Sequence, residues 1–153
     1  MIIEYVMTRN EQVSEPTRAN PSDAGLDVYA NFDDPSSHVR LPPSQSVIVP
    51  TGLKFGVPHG YMLQVMNRSS VAAKRSLIVG AHVIDSGYDG EVFINLHNVG
   101  LESQDIYHGD KIAQIVMVPV VSFRARKADD PELYKDGITI SERGDGALGS
   151  TNG

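Results

Sequence analysis

VFINLHN, Val92 to Asn98, alternates along its length, with Val92, Ile94 and Leu96 on one face and Phe93, Asn95 and His97 on the other. A period of two with β-branched and apolar residues on one side is the pattern of a half-buried strand, with Phe93 as a second apolar contact. Outward from it, Ser46 to Val57, Tyr61 to Met66 and Leu77 to Ile84 are also short, apolar and bounded by Gly, Pro or Ser, so each reads as a strand. Nothing in the first 125 residues sustains a long 3.6-residue period, so a sandwich, jelly roll or barrel is expected rather than βαβ units. Short helical turns are expected over Ser70 to Arg75 and over Pro131 to Lys135, the second with Asp130 as its N-cap and Pro at its first position.

The chain has 153 residues, of which 41% are hydrophobic: enough for one domain with a real core and too few for two. It has no cysteine, which excludes disulfides and thiolate metal or redox chemistry. The longest apolar run, Ile112 to Val121, is broken by Gln114 and Pro119 and is too short to span a membrane. MIIEYVMTRN at the start carries an acid within its apolar stretch and does not read as a signal peptide. The expectation is a cytoplasmic or otherwise intracellular protein, a host cell included if a virus encodes it. A net charge of -6 argues against binding long nucleic acid, which normally needs a basic face. A small polyanion is compatible with that charge if donors and cations cluster locally.

Three stretches carry candidate chemistry. In NRSSVAAKR a strand passes into a short helix through Arg68, Ser69 and Ser70, where helix-start N–H groups, two hydroxyls and a guanidinium can hold an anion. An ordinary serine N-cap beside a surface arginine accounts for the same residues and is the commoner use of serine there. In VIDSGYDGEV, Asp85 ends an apolar strand and Tyr88 follows in a glycine-containing turn. Asp85 there is either a general base with an aromatic platform beside it or a turn Asp bonding its own backbone. RGDGALGSTNG, Arg143 to Gly153, is either a frayed end or a donor-rich arm whose glycines let backbone N–H groups approach phosphate oxygens. It is not a P-loop, since it lacks the GxxxxGK[ST] spacing. The five histidines have no HxH or HExxH spacing, so a zinc site has no support.

In order along the chain stand AGLDVYA (Ala24 to Ala30), RSS (Arg68 to Ser70), VIDSGYDGEV, GDKIAQ (Gly109 to Gln114) and RGDGALGSTNG. This series resembles the five motifs of the trimeric deoxyuridine triphosphatases (dUTPases), and the resemblance covers nearly the whole chain from about residue 20. It implies an all-β, distorted jelly-roll-like subunit with one or two short helical turns, forming a single domain over residues 1–142. A flexible glycine-rich arm over 143–153 would close over an active site. It implies a homotrimer with active sites shared between subunits.

The implied reaction is Mg²⁺-dependent hydrolysis of dUTP to dUMP and pyrophosphate by water attack on the α-phosphate. That would keep uracil out of DNA and supply dUMP for thymidylate synthesis. By the resemblance, Asp85 activates the water, and Arg68, Ser69, Ser70 and Gln114 contact the phosphates. The backbone around His82, Val83 and Ile84 pairs with uracil, and Tyr88 packs under the deoxyribose and leaves no room for a 2′-hydroxyl. Asp27 and Asp110 are implied to be mainly structural. Arg143, Gly149, Ser150 and Thr151 grip the γ-phosphate end, while Leu148 stands where the arm's base-stacking aromatic is usual. Mg²⁺ is implied to be held by the triphosphate and waters, with no direct protein ligand. His82 stands where glycine is common in the base-reading hairpin. Two other readings stay open: a dCTP deaminase, against which Asp85, Tyr88 and the arm argue, and a nucleotide-switched binding protein with a regulatory protein partner.

Overall fold

The computed structural model describes residues 1–9 and 12–134. Contacts divide the chain into two compact units, Met1–Ser122 and a second beginning at Phe123. Every element among the described residues lies in the first.

In chain order the strands are β1 (Tyr5–Met7), β2 (Gly25–Tyr29), β3 (His38–Leu41), β4 (Ser46–Pro50), β5 (Leu53–Phe55) and β6 (Tyr61–Met66). One helix, α1 (Ser69–Arg75), precedes β7 (Leu77–Val79), β8 (Val83–Ile84), β9 (Phe93–Asn98), β10 (Gln104–Tyr107) and β11 (Lys111–Pro119). The larger sheets run in the orders β2-β11-β6-β8 and β4-β9-β7, and β1-β5 and β10-β3 form two further pairs. All these pairings are antiparallel.

The inner faces of the two larger sheets feed one core: Val28, Leu63, Val65, Ala113 and Ile115 from the first, Val49, Leu77, Val79, Ile94 and Leu96 from the second. The result is a mostly β, jelly-roll-like domain with a single short helix among the described residues. The alternation of Val92 to Asn98 holds in space: Val92, Ile94 and Leu96 are buried while Phe93 is 45% exposed. Each buried Leu or Ile of this face contributes on the order of 2 kcal/mol by leaving water. Asn98 continues the buried face with its polar atoms paired: Nδ2 donates to the carbonyls of Leu41 and Glu102, and Oδ1 accepts from the Gly100 N–H.

Two stretches that read as single strands are each divided. Ser46 to Val57 breaks at Thr51 and Gly52, where Gly52 has φ +66° and the Thr51 hydroxyl donates to the Val92 carbonyl at 2.6 Å. The break sends β4 into one sheet and β5 to pair with β1. Leu77 to Ile84 breaks at Gly80, where an added Cβ would lie 2.2 Å from Asn95 Oδ1 and 2.3 Å from His97 Nε2. The chain there leaves β9 and joins β6. The helix begins one residue earlier than the expected Ser70 and ends at Ser76, which is left-handed with φ 52° and donates its N–H to the Ala72 carbonyl. The second expected helical turn is not formed over Pro131 to Tyr134, and Lys135 lies outside the described residues. Asp130 Oδ1 instead accepts the Glu132 N–H at 2.8 Å, closing a local side-chain turn in place of an N-cap.

Candidate active site

The strand-to-helix handover after β6 gathers the first cluster. Arg68, not a serine, occupies the N-cap position with extended backbone (φ -88°, ψ 131°). No side chain caps the helix start, and the first turn carries no acid. The serine N-cap is therefore not formed, and Ser69 and Ser70 sit exposed within the first turn. Arg68 Nε donates to Asp27 Oδ1 at 2.8 Å, and Lys111 Nζ lies 3.0 Å from Asp27 Oδ2. The Asp27 carboxylate raises the pKa of Lys111 and so favours its charged form. Using Nε for Asp27 leaves the guanidinium with further N–H donors on its other edge.

Sheet register explains why these residues meet. Gln114 on β11 is opposite Asp27 on β2 and opposite Met66 on β6, so one row across three strands ends at the helix start. Gln114 Nε2 donates to the Asn67 carbonyl at 2.9 Å, tying that row to the turn. Asn67 Oδ1 in turn accepts the Val79 N–H at 2.7 Å. Asp110 serves an adjacent structural purpose: its Oδ2 accepts from Arg75 Nη1 and from the Tyr107 N–H.

The second cluster surrounds β8. The Val65 N–H donates to the His82 carbonyl at 2.7 Å, and His82 Nδ1 lies 2.9 Å from the Val65 carbonyl, which requires the proton on Nδ1. With a side chain instead of glycine, position 82 thus gains a second bond to β6. Val83 is exposed and Ile84 is buried. The turn that follows is closed by the Asp85 backbone carbonyl, which accepts the Tyr88 N–H at 3.2 Å, with Gly87 at φ +84°. The carboxylate takes no part in that turn, so the turn-Asp reading does not describe it, and Asp85 stays exposed. A cleft of about 210 Å³ is lined by Val83, Ile84, Asp85, Tyr88 and Phe93, among others.

Within one chain the two clusters lie toward opposite ends of β6. Ile84 pairs with Leu63, which sets Asp85 beside the start of β6, whereas Arg68 follows the end of that strand. Register places Asp85 beside Met62, and the six steps from there to Arg68, the last two beyond the strand end, span at most roughly 20 Å of backbone. Arg68 is also drawn away from β8, toward Asp27 two strands across the sheet. Arg143, Leu148, Gly149, Ser150 and Thr151 lie outside the described residues. Among the described residues, no group of three or more His, Cys, Asp or Glu is placed to hold a metal ion.

Sequence reasoning missed Asn67 and Glu91, both adjacent to motif residues. Glu91 Oε1 accepts from the Gly52 N–H and Arg9 Nε at 2.8 Å each, and Oε2 accepts from Arg9 Nη2 at 3.0 Å. An acid following a Tyr-Asp-Gly turn was the available signal, but its partners lie too far away in sequence to be read from it.

The jelly-roll-like β domain carries an Arg-Ser-Ser helix start and an Asp-Tyr turn after the edge strand β8, and the relatives of this chain form a nucleotidohydrolase class. Within it, this chain belongs to the dUTPase family, whose model matches residues 11–152. It is 36% identical over 143 residues to the deoxyuridine 5'-triphosphate nucleotidohydrolase of Desulfotalea psychrophila, covering 92% of this chain and 89% of that protein. It is 34% identical over 143 residues to the human mitochondrial enzyme of the same name, covering 93% of this chain and 52% of that protein. Among solved structures, a dUTPase of Staphylococcus bacteriophage 80alpha bound to dUpNHpp matches with a TM-score of 0.81 at 24% identity, covering 98% of each chain. A dUTPase from phage phi11 of S. aureus, which coordinates a structural Mg(II) ion, matches with a TM-score of 0.75 at 23% identity, covering 85% of this chain and 98% of that one. At those identities the structural likeness speaks for the fold.

Proposed function

We propose that this protein is an intracellular dUTP diphosphatase that hydrolyses dUTP to dUMP and pyrophosphate. The observation that carries this reading is the exposed Asp85 carboxylate, left out of its own turn at the mouth of a cleft it shares with Tyr88, in a chain of the dUTPase family. Asp85 holds and deprotonates the water that attacks the α-phosphorus, a task that needs hydrogen-bond reach above all. The Val83–Ile84 strand and His82 present backbone groups to uracil, and a base with the wrong edge leaves them unpaired, which disfavours cytosine. The Tyr88 ring excludes a 2′-hydroxyl. Arg68, Ser69, Ser70 and Gln114 hold the phosphates at the helix start, with Asp27 orienting Arg68 from behind.

The span of up to roughly 20 Å between the Asp85 and Arg68 positions supports sites assembled between subunits, since both groups must serve one triphosphate. A homotrimer in which Asp85 of one subunit meets Arg68 of another meets that requirement. Mg²⁺ fits this donor set as an ion carried by phosphate oxygens and water, because Asp27 is already shared between Arg68 and Lys111. When bound, it offsets charge on the triphosphate. The arm's Arg143, Gly149, Ser150 and Thr151 close on the γ-phosphate end, with Leu148 covering the base by apolar contact. Product dUMP then feeds thymidylate synthesis while uracil is kept from DNA.

The deciding assay incubates the purified protein with Mg²⁺ and dUTP, dCTP or UTP and measures pyrophosphate and ammonia. Pyrophosphate from dUTP alone is expected; ammonia from dCTP, or tight binding without turnover, would sink the reading. Removing Arg143 to Gly153 lowers kcat/KM for dUTP by about a hundredfold, the order expected when substrate positioning is lost. The truncated protein keeps its oligomeric state by light scattering. Full activity after truncation would leave the arm without a catalytic part.

A further inference from the structure

Tyr88 is held by two neighbours, Gly90 and Glu91. A Cβ added to Gly90 would lie 2.5 Å from the Tyr88 hydroxyl oxygen, 2.6 Å from Cζ and 3.1 Å from Cε2. The outer end of the ring thus rests on the Gly90 backbone, in space that any side chain would take. The same hydroxyl donates to the Glu91 carbonyl at 2.8 Å, so the ring cannot tilt outward without giving up that bond. Glu91 is itself fixed: its carboxylate accepts two bonds from Arg9 and one from the Gly52 N–H. The Glu91 and Arg9 side chains are 14% and 19% exposed, which favours a durable charge-assisted pair over a loose surface one. Although Tyr88 is 47% exposed, it is anchored through a partly buried support.

We infer that Gly90 and Glu91 are positioning residues that set the Tyr88 ring against the backbone and thereby set discrimination against ribonucleotides. The inference rests on the reading that Tyr88 faces the sugar of a bound dUTP. If the ring takes its place only because residue 90 has no side chain, then a methyl group there displaces it from the position that blocks the 2′ side and leaves room for a 2′-hydroxyl. Substitution at Gly90 then acts through Tyr88 and has no separate route to sugar selectivity.

The test is a double-mutant cycle read as the ratio of kcat/KM for dUTP to kcat/KM for UTP. Gly90→Ala lowers that ratio at least tenfold, Tyr88→Ala lowers it at least as far, and the double variant lowers it no further than Tyr88→Ala alone. A general loss of packing would lower both rates together and leave the ratio in place. An unchanged ratio in Gly90→Ala with loss in Tyr88→Ala overturns the positioning role of Gly90 alone, as do effects of the two substitutions that multiply. An unchanged ratio in Tyr88→Ala overturns the sugar-facing role together with the positioning role of Gly90. Should Gly90→Ala lose its thermal transition, Tyr88→Phe carries the test, since it adds no atom and removes only the bond to Glu91. It lowers the ratio at least threefold, and a wild-type ratio there overturns the anchoring.

Discussion

Asp85→Asn lowers kcat for dUTP by about 10² to 10⁴-fold, the usual contribution of a positioned general base, while the nucleotide still binds. The substitution is nearly isosteric and exchanges a proton acceptor for an amide that cannot take the proton. It should not disturb the fold, because the turn is closed by the Asp85 backbone carbonyl and the residue is exposed. Nor does it touch the cluster of Asp27, Arg68, Lys111 and Gln114 at the helix start. Steady-state pyrophosphate release gives the rate, and calorimetry with a non-hydrolysable dUTP analogue gives the affinity. Turnover within a few-fold of the unsubstituted protein would remove Asp85 from the reaction.

Mixing two inactive variants restores activity. Arg68→Ala removes the guanidinium at the helix start, and Asp85→Asn removes the base, so each homogeneous protein is nearly inert. If every site draws Asp85 from one subunit and Arg68 from another, equal amounts reassembled at random leave about one quarter of the sites with both groups intact. The two groups come from the chains each variant leaves whole, with a chance of about one half apiece. Sites built within a single chain would gain nothing from mixing, because no chain would carry both. Unfolding and refolding the two variants together, then assaying pyrophosphate release against separately refolded controls, reads the difference. Absence of recovery in assemblies shown to be mixed would overturn the shared site and require Asp85 and Arg68 to reach the same triphosphate from one chain.

Much of the fold was legible because strand pattern is local. The alternation from Val92 to Leu96 needs only neighbouring residues, and it matches the buried face of β9. The helix after Arg68 was legible for the same reason, to within one residue. Local pattern failed where long-range packing redirected the chain. Gly52 and Gly80 lie inside apolar stretches that read as continuous strands, but the first adopts a positive φ and the second lies against Asn95 and His97. Pro131 to Tyr134 failed differently: Asp130 satisfied an N–H within a local turn, and no helix followed.

For the candidate site, residue types and order were legible and their grouping was not. The sequence by itself determined that Arg68, Ser69 and Ser70 stand at a helix start, that Asp85 and Tyr88 share a turn, and that the motifs run in dUTPase order. Those are properties of contiguous residues, set by backbone periodicity and turn chemistry. Only the tertiary structure decided that Asp27 would hold Arg68, 41 residues away, and that Glu91 would be fixed by Arg9, 82 residues away. It likewise decided that Asp85 and Arg68 stand toward opposite ends of β6. Such pairings follow from strand register, which is set by burial of whole sheet faces. A carboxylate's partner is therefore chosen by the packed fold and not by its neighbours in the chain.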